Sequence, residues 1–445
     1  MPEIASPSAS TLTPAKTARQ RTDTFTSIWM MIAVAMALAT LVAKSRMPQP
    51  LWTMIHLVTL GVLSNGIFQW SWFFARSLAR LSADDPRARR HNTIRVLIFN
   101  AFFASLFVSM WLGWMVGTVI AATGIAAVAA WHGAEMLSVL RERLASRFVV
   151  VVRYYVCSAS FFVLAALLAS FVTATMFSPS IPEAMVAMRD RLTLAHALSG
   201  VAGWVGLTIG GTVITLGPTI LRTRMSPDAV SGGVRVLLPW CLSLLLAIAG
   251  ALLGVMSLVG AGILAVGACA IVGIVYPYAK VLRNKGPREY SAWSFLLGLL
   301  WISVGVCALG VAALFVSTPS QLRALTLMWL PIIGIAGFAQ LFQGALSYLM
   351  PVVIGGGPSI VRIGIAIIDW QFPLRLGLRN SALILELFLF FAGDSTSVHV
   401  LRMAGWFLVI ATFVIDVVIY AKTGVTQARA RRARSETLSE SRQVQ

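Results

Sequence analysis

Apolar runs of about 20 residues recur along the whole chain, and each is long enough to cross a bilayer as a helix. Polar or charged residues separate most of these runs, apart from tight junctions at 114/115 and 256/258. The chain is therefore predicted to be an all-α polytopic membrane protein with about twelve transmembrane helices. These lie at residues 26–43, 51–75, 95–114, 115–138, 150–175, 192–216, 236–256, 258–281, 291–316, 326–351, 378–393 and 398–421.

Composition and charge support this interpretation and add an orientation. Hydrophobic residues make up 58% of the chain and charged residues 11%, whereas a typical soluble domain has about 25% charged residues. The net charge of +19 would suggest nucleic acid in a soluble protein. Here, however, Lys and Arg concentrate at both termini and in every second loop, as they do on the cytoplasmic side of membrane proteins. We therefore expect both termini in the cytoplasm, a plasma-membrane location, the lipid bilayer as partner, and no nucleic acid.

Three regions follow from this pattern. Residues 1–24 are rich in Ser, Thr, Ala and Pro and are predicted to be a disordered cytoplasmic N-terminus. Residues 25–421 form the transmembrane bundle, and residues 422–445 form a basic cytoplasmic tail that is either frayed or bound to a surface. The glycine-rich stretch at 349–358 is interpreted as a helix stop followed by a mobile loop.

Two histidines inside apolar helices are the strongest indication of chemistry. His56 and His196 each lie about five residues, or ~8 Å, below the predicted outer surface. Histidine is rare inside membranes, so a function or a partner is expected. Two imidazoles at equal depth could bind opposite faces of a haem iron or form part of a copper site. The alternative is that each ring bonds a neighbouring helix or reaches towards the headgroups.

The helix that carries His196 also has an unusually bare surface. Gly200 follows one turn later and Trp204 two turns later, among several further glycines. Glycine lets a second backbone or a flat cofactor approach closely. Gly200 and Trp204 are therefore candidate cofactor-binding residues, with plain helix packing as the alternative.

Three further polar residues interrupt the apolar spans. Glu386 is placed in the middle of the eleventh span and Asp416 deep in the twelfth. A carboxyl group at that depth costs about 3 kcal/mol unless it is paired or protonated, so a proton relay, a cation site and a structural ion pair all stay open. His132, beside Trp131 near the inner end of the fourth span, is predicted to be interfacial.

Several sequence stretches together resemble a known membrane region. They include residues 56–65 (HLVTLGVLSN), 69–74 (QWSWFF), 203–208 (GWVGLT) and 215–224 (TLGPTILRTR). They resemble the polytopic membrane region of actinobacterial proteins, some of which continue into a periplasmic multicopper oxidase or nitrite-reductase-like domain. The resemblance covers most of residues 50–380 and implies an association with copper enzymes or redox chemistry.

A looser similarity links the chain to the NnrS family and to haem-copper oxidases, which have twelve helices and histidine ligands. In the oxidases the ligands lie on helices two, six, seven and ten, and His56 and His196 fall on spans two and six. Spans seven and ten lack histidine here, and Phe73 stands where closer relatives have a second histidine. The resemblance therefore implies at most one simple site and excludes an oxygen-reducing haem-copper centre.

The resulting hypothesis is an integral membrane protein with a haem b or copper site near its outer face. Its partner would be a periplasmic copper oxidase or an electron-transfer protein. Two alternatives stay open: a transporter or channel using Glu386 and Asp416, and a non-catalytic membrane partner of a copper oxidase that has no cofactor of its own. The sequence does not decide whether the protein is an enzyme.

Overall fold

A computed structural model describes residues 18–43, 49–82, 84–143, 149–177, 182–393 and 395–443. Every regular element among these residues is a helix, and ten of the helices are long and apolar enough to cross a membrane. This confirms the predicted all-α polytopic fold. In lipid only a helix or a closed barrel can satisfy its backbone hydrogen bonds internally.

The chain divides into two compact units, Met1–Thr208 and Ile209–Gln445. The first contains α1 (Ala18–Ala43), α2 (Pro50–Leu78), α3 (Arg87–Trp111), α4 (Met115–Glu142), α5 (Val149–Met176) and most of α6 (Ala184–Ile220). The second contains α7 (Pro227–Leu253), α8 (Met256–Asn284), α9 (Tyr290–Phe315), α10 (319–354), α11 (Pro358–Ile368), α12 (Phe372–Leu389) and α13 (Thr396–Gln443).

Each of the twelve predicted spans coincides with one of these helices. The spans in α1 and α12 are not among the ten; α12 carries buried charges. The additional helix α11 was not predicted. Residues 18–24 are helical rather than disordered, whereas residues 1–17 lie outside the described part of the chain.

Both candidate histidines stand within two residues of the start of a π-helical segment. Leu57–Ser64 follows His56 in α2, and Leu198–Gly206 follows His196 in α6. A π-helical turn widens the helix and displaces the side chains that follow it, and such turns are frequent at functional sites. Sequence periodicity assumes a regular 3.6-residue turn, so it did not predict these segments.

The basic C-terminal tail continues α13 as a helix and is bound to the rest of the second unit. Gln427 is fully buried and donates through Nε2 to the carbonyl oxygens of Pro351 and Gly355. Arg434 donates to the carbonyl oxygen of Gly356 at 2.9 Å. The surface-bound alternative for the tail therefore matches the structure. The predicted helix stop is also found at Ile354, and the carbonyls of its loop are held by the tail.

Candidate functional site

His56 and His196 are neighbours in the first unit. Their ring centroids are 6.1 Å apart and their ring planes differ by 16°. Two rings in face-to-face contact would be about 3.5–4 Å apart, so these imidazoles are parallel without touching face to face. The structure therefore brings together the two residues that the sequence placed at equal depth on separate helices.

One nitrogen of each imidazole is held by a backbone carbonyl. His56 Nδ1 lies 2.8 Å from the carbonyl oxygen of Trp52, one turn earlier in α2. His196 Nδ1 lies 2.8 Å from the carbonyl oxygen of Ala165 in α5. A carbonyl can only accept, so each Nδ1 carries the hydrogen and each Nε2 presents a lone pair. Neither Nε2 has a hydrogen-bond partner among the described residues.

The surroundings restrict how the two rings can move. The indole of Trp52 stacks on His56 with centroids 4.4 Å apart and planes 21° apart. Both histidines are half-buried. The bond from His196 to α5 is what the alternative interpretation anticipated, namely contact with a neighbouring helix. That bond uses Nδ1 alone, and it orients the ring.

Gly200 and Trp204, the two other candidate residues of α6, have different surroundings. A Cβ at Gly200 would meet only Ala165, at 3.8 Å, so there is ordinary space on this face. Trp204 is buried, donates to Ser64 Oγ at 2.9 Å and stacks on Phe162 with centroids 4.7 Å apart. These contacts hold Trp204 in an aromatic core, whereas Gly200 lies one turn from His196.

His132, which was predicted to be interfacial, is fully buried within the first unit. Its Nε2 lies 3.3 Å from Ser71 Oγ, and the ring meets Phe68 edge to face at 4.9 Å. Its Nδ1 is buried without a partner among the described residues. Aromatic rings surround it because the face of α4 that carries it is turned inwards, and helix rotation cannot be read from position along a span.

A buried ion pair beside His132 was not anticipated. Arg95 is fully buried, pairs with Glu135, and places its guanidinium 5.1 Å from the ring centroid of Trp72. Arg95 stood at the predicted edge of a span, where an arginine is ordinarily solvated. The arrangement is a structural cation–π and ion-pair contact.

Asp416 forms a structural ion pair, which is one of the three roles left open for it. It is fully buried in the second unit, pairs with both Arg375 and Arg379, and accepts from the Tyr290 hydroxyl at 2.7 Å. Arg379 also donates to Gln343 Oε1 at 3.0 Å. The carboxylate is thus fully occupied by neighbouring side chains.

Glu386 lies in the last turn of α12, so its predicted position in the middle of a span is wrong. The predicted span ran to residue 393, whereas α12 begins earlier and ends at Leu389. Glu386 is buried, and its Oε2 lies 3.8 Å from Arg402 Nε. Its Oε1 has no hydrogen-bond partner among the described residues.

Comparisons with protein families and with curated proteins found no match for this chain. Within the described ranges, no group of three or more His, Cys, Asp or Glu side chains could hold a metal ion. The histidine pair is therefore a candidate two-ligand site.

Proposed function

We propose that this multi-pass membrane protein is a redox protein that binds one haem b, with His56 and His196 as the two axial ligands. The supporting observation is the pair itself, with both Nδ1 atoms held by carbonyls and both Nε2 atoms without partners. If the two Nε2 atoms face each other, two imidazole–metal bonds of about 2 Å each, together with the distance from each ring centroid to its Nε2, give a centroid separation of about 6 Å. The observed 6.1 Å fits that value.

In this proposal, the residues around the histidine pair orient the rings and cover His56. Histidine ligands usually donate their second ring N–H to a carbonyl or carboxylate, which fixes the ring and increases the basicity of the ligating nitrogen. The carbonyls of Trp52 and Ala165 do this here. Trp52 also covers one face of His56 and keeps water away from it. A bound haem supplies one-electron transfer, and its potential responds to these contacts.

The donor set favours haem over copper. A copper electron-transfer site has two histidines and a cysteine, often with a weak axial ligand. Only paired donors, not a group of three, are found in the part of the chain described by the structure. A six-coordinate haem requires only two protein ligands. The outer face, the copper-oxidase partner and the electron-transfer partner rest on the charge pattern and the resemblance, and belong to the proposal on those grounds.

Transport through Asp416 is less well supported. A transport carboxylate must exchange partners during its cycle, whereas Asp416 is held by two arginines and a tyrosine. Breaking such a buried arrangement costs several kcal/mol.

The test is a visible spectrum of the purified, full-length protein after incubation with hemin, oxidised and then reduced with dithionite. We expect a Soret band, sharpened α and β bands on reduction, and one haem per chain by pyridine haemochrome. His56→Ala and His196→Ala should each lose the six-coordinate low-spin spectrum. His399→Ala, at an exposed histidine on the predicted outer side, is the matched control and should keep it.

Folding of each variant is checked by gel filtration, so that a lost spectrum is not confused with lost protein. Absence of a Soret band, or retention of the low-spin spectrum in both pair variants, would refute the proposal. The parallel ring planes add a sharper expectation, because near-parallel axial imidazoles give a rhombic low-spin EPR signal. Perpendicular ligands would instead give a single signal at very low field.

A further inference from the structure

A groove on the second unit is distinct from the histidine pair. It has a volume of about 650 Å³ and is lined by α10, the end of α12 and the beginning of α13. Its apolar wall comes from Leu327, Pro331 and Ile335 on α10 and from Leu389 and Phe390 at the end of α12. Leu327 and Ile335 are eight residues apart, so this wall extends about 12 Å along α10.

One charged side chain lines the groove. Arg402 lies in the second turn of α13, and its side chain is 41% exposed. Its guanidinium makes no hydrogen bond among the described residues, and the nearest described carboxylate oxygen is Glu386 Oε2, 3.8 Å from Nε. That distance is beyond hydrogen-bonding reach, so Arg402 and Glu386 form an ion pair without a hydrogen bond, and the N–H donors of Arg402 stay available to a ligand.

Glu386 packs closely against α13 beside Arg402. Its Oε1 lies against Gly405 on α13, 2.4 Å from the position that a Cβ would take there. Glu386 is 3% exposed, so it stands behind Arg402 rather than in the groove. A ligand entering the groove would therefore reach the cation and not the carboxylate.

We propose that this groove binds one anionic phospholipid, with its phosphate on Arg402 and an acyl chain along the α10 wall. A planar guanidinium binds phosphate through two parallel hydrogen bonds. The apolar wall matches a hydrocarbon chain. A zwitterionic headgroup fits less well, because its ammonium group cannot reach the buried Glu386. This proposal does not depend on haem binding, since it uses different residues in the other unit.

The test uses the full-length protein, delipidated in detergent, and thermal unfolding with added lipid. Phosphatidylglycerol should raise the unfolding midpoint, and phosphatidylcholine with the same chains should raise it much less. Arg402→Gln should weaken the apparent affinity for phosphatidylglycerol about tenfold or more, as expected for a lost charge-assisted bond. Arg323→Gln, at an exposed arginine elsewhere on α10, should leave the affinity unchanged.

Two further measurements keep the test decisive if Arg402→Gln is unstable. Arg402→Lys keeps the charge but loses the paired donors, so its affinity should fall between the wild type and the glutamine variant. Phosphatidylglycerol with brominated chains should quench tryptophan fluorescence less in Trp406→Phe than in the wild type, because Trp406 lines the groove. Equal stabilisation by both lipids, or undiminished phosphatidylglycerol binding by Arg402→Gln, would overturn the proposal.

Discussion

Asp416→Asn is the substitution from which we expect the largest loss of stability. The asparagine side chain has nearly the same shape as aspartate, so packing in the second unit is preserved. What changes is the charge between Arg375 and Arg379, whose exposed fractions are 4% and 0%. Both guanidiniums would then stay buried without the carboxylate that bonds them both.

The size of the loss follows from the cost of an uncompensated buried charge. Removing one partner of a buried ion pair costs about 3–5 kcal/mol, because the remaining charge stays desolvated. For a unit of this size, each kcal/mol lowers the unfolding midpoint by roughly 2–4 °C. We therefore expect Asp416→Asn to unfold about 6–20 °C below the wild type.

The assay is intrinsic fluorescence during heating of the purified protein in detergent. Asp228→Asn is the matched control, because Asp228 pairs with Lys280 at 3.0 Å with both side chains largely exposed. An exposed pair contributes about 0–1 kcal/mol, so its midpoint should shift by only a few degrees. A shift no larger for Asp416→Asn than for Asp228→Asn would refute the structural role given to Asp416. The loss of stability in the double variant Asp416→Asn/Arg379→Met should be smaller than the sum of the two single losses, since both substitutions remove the same contact.

The remaining predictions concern helix packing and pH. Gly203→Ala should destabilise the protein by about 1–3 kcal/mol, because the new Cβ would lie 2.5 Å from Phe161 Cβ. Gly200→Ala should be tolerated, because the nearest atom to its Cβ is 3.8 Å away. Equal unfolding midpoints for the two variants would contradict this prediction. Burial raises the pKa of Asp369 to about 6, against the hydrogen bond from the Tyr290 backbone N–H. Since the neutral form is favoured in the folded state, its stabilising contribution is present below pH about 4 and lost as pH rises through about 6. Asp369→Asn should therefore reduce the fall in unfolding midpoint over that range, and an unchanged pH profile would exclude Asp369 as the cause.

The histidine pair shows which features of the candidate site the sequence could predict. The sequence predicts a common depth for the two histidines, since alternating loop charge gives each span a direction and counting residues then gives a height. Which ring nitrogen of each histidine bonds a backbone carbonyl was not predictable. The Nδ1 of His196 is fixed by the carbonyl of Ala165, 31 residues away on another helix. Any residue type can present a backbone carbonyl, so the sequence has no signal for it.

The buried charges show what the sequence could not predict. The sequence left a structural ion pair open for Glu386 and Asp416, but it did not identify which arginines would form it. Arg375 was not considered, although it shares Asp416 with Arg379. The burial of His132 was not predictable for a similar reason, since it depends on the rotation of α4. Position along a helix gives depth, while burial also depends on which helices stand beside it.

The sequence by itself determined the class of fold and the approximate limits of the apolar helices. These follow from local physics, because every span must be apolar over about 30 Å and must satisfy its own backbone hydrogen bonds. Only the tertiary structure decided which polar groups meet. Apolar helices in lipid have no hydrophobic gradient to order them, so close packing and interhelical hydrogen bonds select their neighbours. The pairing of His56 with His196 and of Asp416 with its two arginines arises from that selection.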